Sequence, residues 1–215
     1  MTLTPVAYYR GPFSSKFGIP RQSSLVPVEG RIVFEPAFRE KEALRGLDGF
    51  DRLWLIWGFS ANRDTKGEWQ PTVRPPRLGG NERMGVWATR SPFRPNPLGL
   101  SSVELLRVDG LDLVVRGADL MDGTPIYDIK PYLVYADSFP EARQGFVCGA
   151  PERALQVVFP EGFPEEAKPV LEQVLSMDPR PACQHRSDKV YGMPFQGRDL
   201  RFRVEGNVLS VISWE

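Results

Sequence analysis

A mainly β fold is what this chain of 215 residues predicts, and three features carry the expectation. Its 21 prolines and 20 glycines cut the apolar sequence into short pieces, the pattern of strands joined by turns. Two apolar stretches, 103–108 and 111–116, are separated by Asp109-Gly110, a pair that reaches positive φ readily and suits a tight hairpin turn. Only two segments carry helical periodicity, and both are short. With 41% hydrophobic residues the chain can still bury a proper core.

Taken in order, Ile19-Pro20-Arg21-Gln22 reads as a rigid bend with a polar pair beyond it. In 36–47 (PAFREKEALRGL), Phe38, Ala43, Leu44 and Leu47 predict the apolar face of a short helix. The run LWLIWGF at 53–59, with polar flanks, predicts a strand buried on both faces, Trp54 and Trp57 lying in its core. A short strand at 84–88 sits inside a proline-rich loop, and the 103–116 hairpin follows. If 125–132 is extended, Asp128, Lys130 and Tyr132 share one face. Small and polar residues at 138–151 mark a soft boundary, giving domains 1–145 and 146–215. In the second, 169–177 predicts a helix stopped by Asp178-Pro179, and 200–204 and 208–212 form a hairpin around Glu205-Gly206-Asn207.

Composition excludes several chemistries. Basic and acidic residues balance at 27 each, so a polyanion must be met by a local patch. Cys148, Cys183 and His185 are the whole Cys and His complement, too few for the usual zinc sites, and no metal is expected. No two glycines lie two positions apart, so no G-x-G nucleotide loop of the Rossmann kind exists, and there is no Walker motif. The first residues lack a basic region followed by an apolar core, and no apolar run approaches the roughly 20 residues of a membrane span. A cytoplasmic protein without a membrane role is the expectation.

Two segments concentrate chemistry. Residues 74–97, RPPRLGGNERMGVWATRSPFRPNP, set Arg74, Arg77, Arg83, Arg90 and Arg94 against the single acid Glu82, and prolines stiffen the backbone that carries them. Residues 119–132, DLMDGTPIYDIKPY, interleave Asp119, Asp122, Asp128 and Lys130 with Tyr127 and Tyr132. Trp54, Trp57, Trp69 and Trp87 also offer rings on which bases could stack, although the first two sit in an apolar run.

Both segments, together with PRQ at 20–22, RGLDGFDRLWLIWGF at 45–59 and DPRP at 178–181, closely resemble the TrmO family, also called YaeB or TsaA-like proteins. The resemblance implies a small β-barrel domain that binds S-adenosylmethionine without a Rossmann fold, followed by a small α+β C-terminal domain. It implies a homodimer acting on tRNA, methylating N6 of N6-threonylcarbamoyladenosine beside the anticodon. Carried across by motif, the cofactor site comprises Pro20, Arg21, Gln22, Phe59, Ser60, Arg90, Leu100, Pro125, Ile126, Tyr127 and Asp128. Ser60 stands where other members often carry His, and Cys183 replaces a common Tyr after DPRPA.

Methyl transfer from a sulfonium needs an aligned acceptor and a route for the acceptor's proton. Asp128 is the candidate ligand or base, with Lys130 and Tyr132 beside the threonylcarbamoyl group. Arg74, Arg77 and Arg94 are candidates for phosphate or carboxylate contacts. Two other readings stay open: a binding protein of the same fold without methyl transfer, and a methyltransferase for another acceptor.

Overall fold

The computed structural model describes residues 2–62, 69–74, 82–147, 149, 153–180 and 189–215. Six strands close a barrel: β1 (Ala7–Arg10), β2 (Glu29–Phe34), β3 (Arg52–Gly58), β6 (Leu98–Asp109), β7 (Asp112–Arg116) and β8 (Pro125–Pro131). Their order around the barrel is β1-β2-β7-β6-β3-β8, and every neighbouring pair is antiparallel. Between β3 and β6 a two-stranded ribbon, β4 (Thr72–Val73) with β5 (Met84–Gly85), projects from this frame.

Along β3, Leu53, Leu55 and Trp57 are buried in the barrel interior, whereas Trp54 and Ile56 on the opposite face are only half-buried. The expectation of a strand buried on both faces is therefore corrected. In a small barrel one face of each strand fills the lumen and the other lines the outside, so an apolar outer face signals a surface with its own use. The register between β3 and β8 shifts at Ile56/Trp57. Tyr127 lies against Gly58 there: a Cβ on Gly58 would come within 2.8 Å of its ring.

The β6–β7 hairpin forms one residue later than expected. Asp109 pairs with Asp112, so the turn is Gly110-Leu111, with Gly110 at φ 65°. Glycine takes the left-handed position, and Asp109 stays in the ladder with its carboxylate 2.8 Å from Arg31. The 36–47 segment is also not one helix but 3₁₀ turns at Pro36–Phe38 and Lys41–Leu44, followed by a third at Leu47–Gly49. Gly46, at φ 81°, interrupts the chain, and the sparse apolar positions leave Phe38 41% exposed while Leu44 and Leu47 pack on the barrel. The expected 84–88 strand is shorter: β5 ends at Gly85 and a 3₁₀ turn, Val86–Ala88, follows.

A second sheet contains β9 (Gln156–Val158), β10 (Val190–Phe195), β11 (Arg198–Glu205) and β12 (Val208–Trp214) in the order β10-β11-β12-β9. The β11–β12 hairpin forms as its sequence predicts, but Glu205 pairs with Val208 in the ladder and the turn narrows to Gly206-Asn207. One-turn α1 (Val134–Asp137) follows the barrel, and α2 (Lys168–Ser176) places Leu171, Val174 and Leu175 in one core with Phe202, Val204 and Leu209. That core also takes Phe13, Val26 and Val28 from the segment between β1 and β2. Phe13 meets Phe195 edge-on, centroids 5.4 Å apart, and the Gln196 amide donates to Pro12 O over 2.8 Å. No helix among the described residues is long and apolar enough to cross a membrane.

Candidate active site

The segment between β1 and β2 passes over the end of the barrel where β3 finishes and β6 begins, and a cleft of about 660 Å³ opens there. Trp57, Phe59, Leu98 and Met121 are among its apolar lining. Trp57 and Phe59 lie with ring centroids 4.4 Å apart. Gly99, also lining the cleft, gives the Trp57 ring its room, since a Cβ there would fall 2.2 Å from Cε2.

A polar chain runs beneath these rings. Trp57 Nε1–H donates to Ser101 Oγ over 2.9 Å, and the Ser101 hydroxyl donates to Asp119 Oδ1 over 2.5 Å. Burial pushes the Asp119 carboxyl up from the ordinary carboxylate range, against the opposing bond from Ser101, the charge of Arg90 and the Ser23 amide. A carboxyl so placed holds a proton more readily than one in water. It is the one acid among the described residues lining the cleft, where Lys16, Arg21, Arg90 and Arg94 supply the positive charge.

The three arginines are placed by the fold. Arg21 donates to the carbonyls of Met177 (3.1 Å) and Asp178 (3.3 Å), so the Pro20–Gln22 bend is tied to the segment after α2. Arg90 donates to Gln22 Oε1 across the cleft. Arg94 donates to Val86 O (3.1 Å) and Thr89 O (2.7 Å), which fixes its guanidinium on the main chain of its own loop.

Of the residues expected at the site, Pro20, Arg21, Gln22, Phe59, Ser60, Arg90, Arg94 and Leu100 all line the cleft. The β8 residues do not. Pro125 and Ile126 are buried, Tyr127 lies against Gly58, and Asp128 and Lys130 form a 2.9 Å ion pair with each other, all outside the cleft lining. Tyr132 continues that face, its ring 5.5 Å from Trp54, which pairs with Lys130 in the ladder. Asp128, Lys130 and Tyr132 thus share a face, as the period-2 reading predicts. Trp54, which does line the cleft and whose Nε1–H donates to Asp137 over 2.9 Å, connects them to it. Arg74 is exposed just beyond β4 and does not line the cleft, and Arg77 lies outside the described residues.

Sequence reasoning did not assign Asp119 and Ser101 to the site. The available signal was Asp119 between the apolar Ala118 and Leu120, an acid in a stretch with every reason to be buried.

Comparison with known proteins agrees with this architecture. Residues 8–138 match the model of the tRNA-methyltransferase O N-terminal domain, and residues 154–215 match that of the TrmO C-terminal domain. A tRNA (adenine(37)-N6)-methyltransferase of Escherichia coli strain K12 is 38% identical, covering 98% of this chain and 96% of that protein. One from Eikenella corrodens is 48% identical over 73% of this chain and 92% of its own length. The crystal structure of TrmO from Pseudomonas aeruginosa superposes with a TM-score of 0.80 at 31% identity, covering 100% of this chain and 98% of that one. On these grounds the chain belongs to the tRNA-methyltransferase O family.

Proposed function

We propose that this protein methylates N6 of N6-threonylcarbamoyladenosine in tRNA with S-adenosylmethionine as donor, and that the chemistry takes place in the cleft at the end of the barrel. The observation that carries this reading is the cleft itself: an aromatic, apolar floor, four cations on its walls and one buried carboxylate beneath them. These residues fit the donor. Apolar surface at Trp57, Phe59, Leu98 and Met121 suits its adenosine, and Arg21, Gln22 and Arg90 suit its carboxylate and polar edges. When bound, S-adenosylmethionine supplies an electrophilic methyl group on a sulfonium.

Arg90 and Gln22, bonded to each other, bridge the cleft from opposite walls and form one fixed border against which the donor is oriented. Arg94 stands on the same loop, available to the threonyl carboxylate or a phosphate. The acceptor nitrogen must lose its proton as its bond to carbon forms, and Asp119 is the group in the cleft able to take it. Asp128, paired with Lys130 on the outer face and outside the cleft lining, is not the base in this reading; with Lys130 and Tyr132 it offers a polar face to parts of the tRNA beyond the reacting base.

Residues 1–145 then carry the cofactor cleft and residues 146–215 help to hold the tRNA, with Arg21 bonding across the two. The homodimer expected of the family is supported by apolar side chains left on the surface: Leu100 (57% exposed), Val134 (72%), Tyr135 (85%) and Phe139 (69%). Action on tRNA supports the cytoplasmic setting expected from the sequence.

The decisive experiment is nucleoside mass spectrometry after incubation with S-adenosylmethionine, using threonylcarbamoylated tRNA beside the same tRNA lacking that modification. Methylated product from the modified tRNA alone is expected. Product from both, or from free nucleosides, overturns the acceptor assignment.

A further inference from the structure

Trp69 and Trp87 are absorbed neither by a core nor by the cleft. They flank the β4–β5 ribbon, whose pairing of Thr72 with Gly85 brings the chain before β4 next to the chain after β5. Their rings stack with centroids 6.1 Å apart and planes at 26°. Trp69 is 46% exposed and Trp87 66% exposed, a costly way to present two indoles unless something covers them.

The pair is held firmly. Val86, fully buried beside Trp87, receives the Arg94 guanidinium on its carbonyl, and the Val86 amide donates to Pro71 O over 3.0 Å. Gln70, next to Trp69, donates to Phe93 O over 3.3 Å. Arg94 lies over the Trp87 ring at 5.2 Å from its centroid while also lining the cleft. One guanidinium therefore borders both the aromatic pair and the reaction site. In the described parts of this region, 69–74 and 82–98, Arg74, Arg83, Arg90 and Arg94 face the single acid Glu82. An apolar peptide gains little from that charge, and a polyanion gains much.

We infer that Trp69 and Trp87 form a stacking platform for an unpaired nucleobase of the RNA loop that carries the target adenine, with Arg94 joining platform to cleft. The inference rests on the tRNA reading above and names a binding surface for it. An adenine drawn into the cleft leaves its loop neighbours unstacked, and an aromatic face accepts any base. An exposed indole pair that shares Arg94 with the cleft supplies such a face.

The test uses the full chain and two RNAs: a tRNA anticodon stem-loop and a fully paired duplex of equal length. Trp87→Ala is expected to weaken binding of the stem-loop about tenfold and to leave the duplex unchanged, whereas Trp87→Phe stays close to wild type, since a stacked base is worth that much. Trp69→Ala shows the same selectivity to a smaller degree. Cofactor affinity by calorimetry and sedimentation of the free protein stay as in the wild type. Equal stem-loop affinity in Trp87→Ala and wild type overturns the platform. So does a change in the sedimenting species, which assigns the surface to a second copy of the chain. If the wild type neither binds the stem-loop nor methylates tRNA, it is the tRNA reading that fails, and the platform with it.

Discussion

Ser101 donates its hydroxyl proton to Asp119 Oδ1 over 2.5 Å at the floor of the cleft. Ser101 Oγ in turn accepts from the Trp57 indole N–H over 2.9 Å, so one small side chain on β6 satisfies a buried N–H and steers a buried carboxyl. Ser101→Ala strands both. A buried donor without a partner costs about 1–3 kcal/mol, and chemical denaturation of this variant should show a loss of that order. Cofactor binding should weaken as well, because the Trp57 ring forms part of the floor.

Asp119→Asn tests the proton-accepting role directly. Methyl transfer should fall by about 100-fold or more, while calorimetry finds the cofactor still bound. Loss of cofactor binding instead would make Asp119 a ligand of the donor. Stability supplies a second readout. Burial raises the native pKa of this carboxyl above its unfolded value, so the folded chain holds the proton more tightly than the unfolded one. Its contribution is complete below the unfolded pKa and is lost as pH rises through the raised native pKa. Across that window the wild type should lose melting temperature relative to Asp119→Asn.

Arg90 and Gln22 face each other across the cleft. Arg90→Ala should weaken cofactor affinity, measured by calorimetry, by more than it weakens tRNA affinity, measured by filter binding. An unchanged cofactor affinity would remove Arg90 from the donor's contacts.

Gly99→Ala asks whether the floor tolerates a methyl group. The new Cβ would sit 2.2 Å from Trp57 Cε2, and the neighbour is the body of a buried ring rather than the end of a flexible chain. Trp57 must shift into the cleft or β6 must move. Cofactor binding should be lost or severely weakened, and near-ultraviolet circular dichroism should report the displaced indole.

What was legible in the sequence follows from the range over which each signal acts. The hairpins at β6–β7 and β11–β12, and α2, are local: a glycine able to take positive φ and a short apolar periodicity suffice to specify them. Position within the turn was not legible, because Asp109 could serve either the turn or the ladder, and only the cross-barrel partner Arg31 decides. LWLIWGF read as doubly buried because hydrophobicity cannot distinguish a core from an apolar outer face, where Trp54 and Ile56 lie. The cleft was legible only through motif resemblance, since Arg21 and Arg90 are 69 residues apart in number and meet by barrel closure. Asp119 went unassigned for a related reason: it lies in the loop after β7, and its significance depends on Ser101 of β6.

The boundary near residue 145 has a physical test in Phe13. Its side chain, 0% exposed, belongs to the core beneath the second sheet although it lies in the first part of the chain. Val26 and Val28 accompany it, and Arg21 between them bonds to the carbonyls of Met177 and Asp178. The segment that lines the cleft is therefore pinned from behind by the second core. Phe13→Ala removes a buried ring and should cost about 3–5 kcal/mol. If the segment couples the two units, the loss should appear in a single cooperative transition, and cofactor affinity should fall although Phe13 does not line the cleft. Two separated transitions, with only the second one lowered and cofactor affinity retained, would show instead that the barrel holds its cleft without help from residues 146–215.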